Sequence, residues 1–475
     1  MAKSKRLLAA ILAGLMSVTA LTACKPGDSS SGTGNSTKSD GSKDDTNNTA
    51  EEGKVLNIYC WNNEFQQRVE GYAQDIIDEF ESNGGTVNWI ITPNAENAYQ
   101  NKLDGDLMNQ EYIDADEKID IFLVEADYAL KYVNRGVSAD VKDLGLTDDD
   151  MSQMYEYTKE VMTSTDGKIK GVSWQATPGL FAYRRDIAKE VLGTDEPDKV
   201  QEVISDWTKF DETAAKMKDK GYFMLAGYDD SYRTFSNNVS SKWVDDSNTI
   251  VIDDAIKQWV DQTKTYTDKG YNNKASLWSD EWAKEQSPEG KTFGFFYSTW
   301  GIDFTLLGNS LATAEEDGGK LEKGNGLYGE WAVTYGPQSY FWGGTWICAY
   351  SQTDNKEVIA KLMKRLTCDG ETAKKITEGT QDFTNNVAAM EELANSDFQS
   401  AFLGGQNHLK LFAEVAKNIK MDKTTAYDQG LNESFQGAMK DYFNPDNKDV
   451  DTYEKALENF YEKALAKYPD LKKPA

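Results

Sequence analysis

The chain has 475 residues and a formal net charge of -28, from 51 basic and 79 acidic side chains. Such a surface is a poor partner for nucleic acid or anionic lipid headgroups and favours a neutral or cationic ligand. Most of the acid reads as a solvated face, with an acidic binding patch as the alternative. A single histidine excludes a His-rich metal site, and four cysteines without CxxC spacing imply neither a disulfide framework nor a zinc cluster.

The first 23 residues carry Lys3, Lys5 and Arg6, an apolar run from Leu7 to about Leu21, and small residues before Cys24. These are the parts of a secretory signal, too short and wrongly flanked for a permanent spanning helix. Removing the segment takes the formal charge from -28 to -31, because its three basic residues have no acid among them. Leu21-Thr22-Ala23-Cys24 resembles a bacterial lipoprotein lipobox. That resemblance implies acylation of Cys24, with acyl chains as the sole hold on the outer face of the bacterial cell membrane. An ordinary secreted protein with a chance Cys here is the alternative. Lys25 to Gly53 is almost free of apolar side chains and reads as a disordered tether. Such a coil has an end-to-end distance of roughly 30 Å. The folded body, from Lys54 onward, exceeds the size at which one core keeps growing, so two lobes are expected.

Along that body strands alternate with helices. Val55 to Trp61 reads as a strand and Gln66 to Glu81 as a helix with Val69, Ala73, Ile76, Ile77 and Phe80 on one face. Thr86 to Thr92 alternates Val87, Trp89 and Ile91 as a second strand. Ile119 to Val124 is the unbroken apolar run of a strand buried on both faces. Asp206 caps a helix through about Lys218, which Gly221 ends, and Lys356 to Leu366 carries another. Asp451-Thr452-Tyr453-Glu454 reads as a capping box opening a last helix to Tyr468. The pattern is α/β, without a convincing internal repeat.

Trp61, Trp174, Trp300, Trp342 and Trp346 all fall at or just past the ends of strand-like runs, beside Gly, Asn, Gln or Thr. In open α/β sheets ligands bind there. A flat indole face next to amides and carboxylates suits a pyranose, apolar on its C–H face and rimmed by hydroxyls. Any one of these Trp residues is more readily core than ligand-facing, but five in one type of position shift that balance. Cys60 and Cys348 sit in strand-like runs and read as free buried thiols. His408 stands at a helix start and reads as structural, although any His-dependent catalysis would have to use it. Thr147 to Asp150 and Asn444 to Asp451 are Asp-rich loops without EF-hand spacing, hence solvated turns rather than calcium sites.

The order of short motifs resembles the carbohydrate-binding subunits of ATP-driven importers, extracellular solute-binding protein family one, over nearly the whole body. Trp61-Asn62-Asn63-Glu64 closes the first strand, and Glu79-Phe80-Glu81 ends the helix after it. Ile119-Asp120-Ile121-Phe122 with Asp127 and Tyr128 is similar to the family's third strand and ligand-facing loop, with Ile119 in place of Pro. Gly171-Val172-Ser173-Trp174 followed by Leu180 to Asp186 looks like the crossover, with Ser173 for Pro and Arg184 for Asn. Asp206-Trp207-Thr208-Lys209-Phe210, then Gly290 to Phe293 with Ser298-Thr299-Trp300-Gly301, and Gly343-Gly344-Thr345-Trp346 follow in order.

The resemblance implies a two-lobe fold of the periplasmic-binding-protein type II class, with hinge-linked lobes and a ligand cleft between them. The expected lobes are 54–172 plus 293–342, and 173–292 plus 343–475. It implies capture of a neutral mono- or oligosaccharide and its delivery to the transmembrane subunits of an ABC permease, without cofactor, metal or catalytic residues. Trp61, Tyr232 and Trp300 would be stacking platforms, joined by Trp174, Trp342 and Trp346 from their positions. Asn62, Glu64, Asp127, Gln175 and Asp229 would take hydroxyls. The alternatives are an exported glycoside hydrolase, with Glu64 and Asp127 facing one bond, and a peptide-binding importer subunit.

Overall fold

The computed structural model describes residues 53–474. The signal segment, Cys24 and the tether up to residue 52 lie outside it. Among the described residues no helix is long and apolar enough to cross a membrane.

Two sheets organise the body. The first has the order β2-β1-β3-β10-β4, from Thr86–Ile91, Val55–Cys60, Ile121–Glu125, Thr345–Ala349 and Val172–Ser173. β1 runs parallel to β2 and β3, whereas β10 is antiparallel to both β3 and β4. Alternation along β1 sends Leu56, Ile58 and Cys60 to one face, where they meet Phe65, Val69, Ile76 and Trp174. Phe122, Val124, Trp346 and Cys348 share the opposite face. The second sheet is antiparallel, β8-β5-β9, from Gly294–Ser298, Gly179–Arg184 and Trp331–Thr334. β6 (Leu225–Gly227) and β7 (Asn272–Ala275) form a parallel pair. The chain just before β6 bridges to that before β8 at Phe223 and Thr292. Helices cover this sheet through Phe181, Phe210, Met217 and Phe296. Trp259, Phe435, Phe443 and Phe460 build a further helical core.

Several expectations shift by a residue or two, and one shifts by whole strands. The expected helix 66–81 is two helices, Glu64–Tyr72 and Gln74–Ser82, broken where Ala73 leaves helical geometry at φ -142°. The third strand starts at Ile121, two residues late. Asp206 caps Trp207–Asp219 by accepting from the Lys209 amide at 2.9 Å. The last helix, Tyr453–Lys467, is capped by Thr452, which accepts from the Lys455 amide at 3.3 Å. The box read at 451–454 therefore starts one residue later and lacks its acidic partner, and Asp451 pairs with the Lys455 ammonium instead. The larger shift concerns 293–342, read as part of the first lobe. Its strands β8 and β9 pair with β5, while β10, read as second-lobe, pairs with β3 and β4. Strand composition marks a buried strand but does not name its neighbour, and here long-range pairing chose it.

Cys60, Cys348 and Cys368 are free thiols, and burial pushes the first two well above the usual thiol range. His408 precedes the helix Leu409–Ala416, buried between Phe398 and Phe412, where loss of solvation pushes its imidazole down to about 4.

Trp174 and Trp346 are core residues, not cleft residues. Trp174 is 1% exposed and stacks on Phe65 with centroids 5.6 Å apart; Trp346 donates its Nε1–H to the Thr158 carbonyl at 2.8 Å. Trp346 lies within β10 and Trp174 directly follows β4, and their rings belong to the cores on opposite faces of the first sheet. Trp174→Ala should destabilise the fold by about 3–5 kcal/mol, measured as a drop in denaturation midpoint. Ligand affinity of the folded fraction should be unchanged.

Candidate ligand-binding cleft

Between the end of β3, the segment 229–239, the segment 339–342 and the helix Asp428–Phe443 lies a cleft of about 540 Å³, within the range of small-molecule sites. The floor segments lock together through asparagines. Asn237 Oδ1 accepts from the Phe341 amide at 2.7 Å, and Asn238 donates to the Ser339 carbonyl at 2.8 Å. The helix Asp428–Phe443 presents Asp428, Gln429, Asn432, Glu433 and Gln436, the i, i+1, i+4, i+5, i+8 positions of one face. Asn432 Oδ1 accepts from the Tyr232 hydroxyl and from Trp243 Nε1–H, the latter at 3.0 Å. With its oxygen so engaged, this amide offers a ligand its NH₂ group.

The charges form one compact arrangement. Arg233 donates to both Asp127 oxygens, at 2.9 and 2.6 Å, and its guanidinium lies 5.4 Å above the Trp342 ring. Asp127 follows the first sheet's β3, whereas Arg233 stands in the helix Tyr232–Ser236. Burial alone would raise the Asp127 carboxyl, but the guanidinium overrides it and holds the group below the usual range. Glu125, whose Oε2 accepts from the Asp127 amide at 2.9 Å, goes the other way. Burial and the neighbouring Asp127 charge push it up. Asp428 is pushed up to about 7, by burial first and with Asp127 adding to it, against hydrogen bonds from the Thr425 amide and hydroxyl.

Of the residues singled out from sequence, Asp127, Asp229, Tyr232 and Trp342 line the cleft. Trp300 stands at its rim, donating to the Trp342 carbonyl at 3.0 Å with its ring edge-on to the Trp342 ring at 5.3 Å. The others gather elsewhere. Trp61 packs half-buried on the edge of Tyr99. Asn62 turns back to accept from the Glu64 amide at 3.0 Å. Gln175 donates to Glu64 at 2.8 Å and to Asp382 at 2.9 Å, and Arg68 pairs with both carboxylates. Burial pushes Glu64 up to about 7. This network ties the first helix to the crossing segment and leaves its groups engaged with one another. Asp229 is also structural in part: its Oδ2 accepts from the Leu277 amide at 3.1 Å and pairs with Lys440 at 2.9 Å.

Sequence reasoning passed over Arg233, Gln429, Asn432, Asp428 and Trp278. The helical face 428, 429, 432, 436 was legible as a polar stripe, but nothing in its spacing says that a cleft adjoins it. Trp278 stacks near Trp300 at 6.2 Å and 22°, is 53% exposed and has φ +68°. A left-handed backbone at a bulky residue costs about 1–3 kcal/mol and persists only where its surroundings enforce it.

The family model described as bacterial extracellular solute-binding protein matches residues 75–402. A solved structure described as extracellular solute-binding protein family 1 is 20% identical, covers 87% of this chain and 100% of its own, and superposes with a TM-score of 0.70. The ABC-transporter-associated binding protein of B. animalis subsp. lactis, solved with β-1,6-galactobiose, is 16% identical over 89% of this chain and 100% of its own, at 0.62. The galacto-N-biose/lacto-N-biose I-binding protein of Bifidobacterium longum, solved with lacto-N-biose, is 14% identical over 88% and 98%, at 0.61. These likenesses give the chain the two-lobe type II binding-protein fold. No curated protein matches the chain by sequence.

Because the native Asp428 carboxyl holds its proton up to about pH 7, against an unfolded value near 4, its ionisation costs native stability as pH rises through that window. Asp428→Asn should therefore raise the melting temperature at about pH 8. The gain should vanish by about pH 4, which differential scanning calorimetry across pH will check.

Proposed function

The chain belongs to the family of bacterial extracellular solute-binding proteins, and from that premise we propose that its solute is a neutral sugar or oligosaccharide delivered to an ABC permease. The observation that carries this is the make-up of the cleft. Amides at Gln429, Asn432 and Gln436 face indole and phenol rings at Trp342, Trp243 and Tyr232, and the one arginine of the lining is already neutralised by Asp127. Amides match hydroxyls, and aromatic faces match the C–H face of a pyranose. Arg233, paired with Asp127, is not free to anchor a peptide terminus, and the charges at Lys420, Asp422 and Glu433 leave peptides to the controls below. The sugar-bound relatives support the same class of solute.

The two carboxylates weighed as a catalytic pair support binding over cleavage. Asp127 has both oxygens on Arg233 and stays ionised, so it is poorly placed to attack or to take a proton, and Glu64 is bound up with Gln175 and Arg68. The lobes carrying the two sheets close on the ligand because the second lobe's contacts add differential affinity for the closed form. Cys24 anchors the chain to the outer face of the membrane by acylation.

Thermal unfolding of the full chain with a panel of neutral mono- and oligosaccharides, and peptides as controls, tests the solute class. Ligand at a hundred times its dissociation constant should add about 2.7 kcal/mol, and a shift confined to one glycan series is expected. A shift with peptides alone would remove the carbohydrate reading. For the anchor, Cys24→Ala should move the protein from the detergent phase to the aqueous phase on phase partition; equal retention of both forms would refute acylation.

A further inference from the structure

We propose that Trp278 and Trp300 form a distal subsite that takes an additional pyranose ring, making the preferred ligand a linear oligosaccharide and Trp278 the residue that reads its length. This rests on the carbohydrate reading above. Trp278 is the largest side chain on the surface among the exposed apolar residues, and its loop is held so as to keep it there. Asp229 Oδ2 fixes the Leu277 amide on one side. On the other, Trp282 Nε1–H donates to Asp230 at 2.9 Å, and the Trp282 amide donates to Ser279 Oγ at 3.2 Å. Two adjacent aspartates thus pin the chain on both sides of a residue with a left-handed backbone.

The indole is oriented as well as exposed. Trp300 covers it at 6.2 Å and 22°, Trp342 lies tilted at 5.8 Å, and Trp282 meets it edge-on at 5.2 Å. Three rings fix the fourth, and its solvent-facing remainder is a rigid apolar platform continuous with the cleft through Trp342 and Leu277. Asp229, which holds the Leu277 amide, is itself paired with Lys440 at 2.9 Å, so the anchor of the loop is braced in turn. Beyond Trp300, the helix continues through a π-helical turn, Ile302–Leu307, that carries Phe304, 62% exposed and four residues along. Irregular turns of this kind often accompany binding sites.

The test compares the full chain with Trp278→Ala and Trp278→Phe, each in detergent and each first shown to melt like the parent. Binding is read on an array of neutral glucan, galactan, mannan, xylan and arabinan oligomers graded from disaccharide to pentasaccharide. The parent should bind the longer members of one series about tenfold more tightly than the disaccharide. Trp278→Ala should abolish that gain and change disaccharide affinity by less than about twofold, with Trp278→Phe restoring most of it. Equal losses at every length, or no loss at any, would overturn the subsite and leave the sugar receptor standing. No binding by the parent to any series would overturn both.

Discussion

The candidate cleft depends on two chain segments passing side by side between the sheets. Residues 174–179 leave β4 for β5, and residues 340–344 lead back to β10. They are stitched together at Thr177. Its carbonyl accepts from the Trp342 amide at 3.0 Å and from Ser298 Oγ at 3.3 Å, and its hydroxyl donates to the Gly343 carbonyl at 2.8 Å. The Gly179 amide adds a bond to the Tyr340 carbonyl at 2.8 Å. Gly343 and Gly344 turn the returning chain with φ of +75° and +109°, and a Cβ on Gly344 would stand 3.2 Å from the Trp346 ring and 3.3 Å from Thr177 Oγ1. That double turn sets Trp342 at the cleft and Trp346 in the core, four residues apart.

The electrostatics of the cleft follow from its position between two bodies. Asp127 is delivered by the first sheet and Arg233 by a short helix beside the second, and they meet as a bidentate pair in a partly enclosed space. Burial first, and the Asp127 charge after it, pushes the Glu125 and Asp428 carboxyls toward their protonated forms, while the guanidinium held by Asp127 keeps that one carboxyl ionised. Native stability is reduced at neutral pH by that arrangement. Functional sites commonly carry such local conflicts, because groups arranged to meet a ligand are not those that best satisfy one another.

The cleft brings amides and aromatic rings together beside a paired arginine. Its arginine is occupied, its amides are oriented by internal bonds, and its aromatic rings are braced by one another. Such preorganisation lowers the ordering cost at binding. The Glu64–Gln175–Asp382 network lies apart from this and couples the first helix, the crossing segment and the start of the helix at Thr299, whose hydroxyl donates to Asp382 at 2.9 Å.

Much of this is legible in the residues taken in order. Period and capping located β1, β2 and the helix after Asp206, because side-chain alternation and a side-chain cap are local devices written in adjacent residues. Motif order pointed to the type II fold and to Asp127, the family resemblance to Asp229 and Tyr232, and the strand-end position of tryptophan to Trp342. Tryptophan at a strand end was an ambiguous sign: Trp174 and Trp342 share that setting, yet one stacks on Phe65 and the other carries Arg233. The membership of β8, β9 and β10, the meeting of Arg233 with Asp127, and the exposure of Trp278 were decided only in three dimensions. Each depends on which distant strand or helix lies alongside, and that choice is made by the summed packing of whole surfaces, which no short stretch of sequence contains.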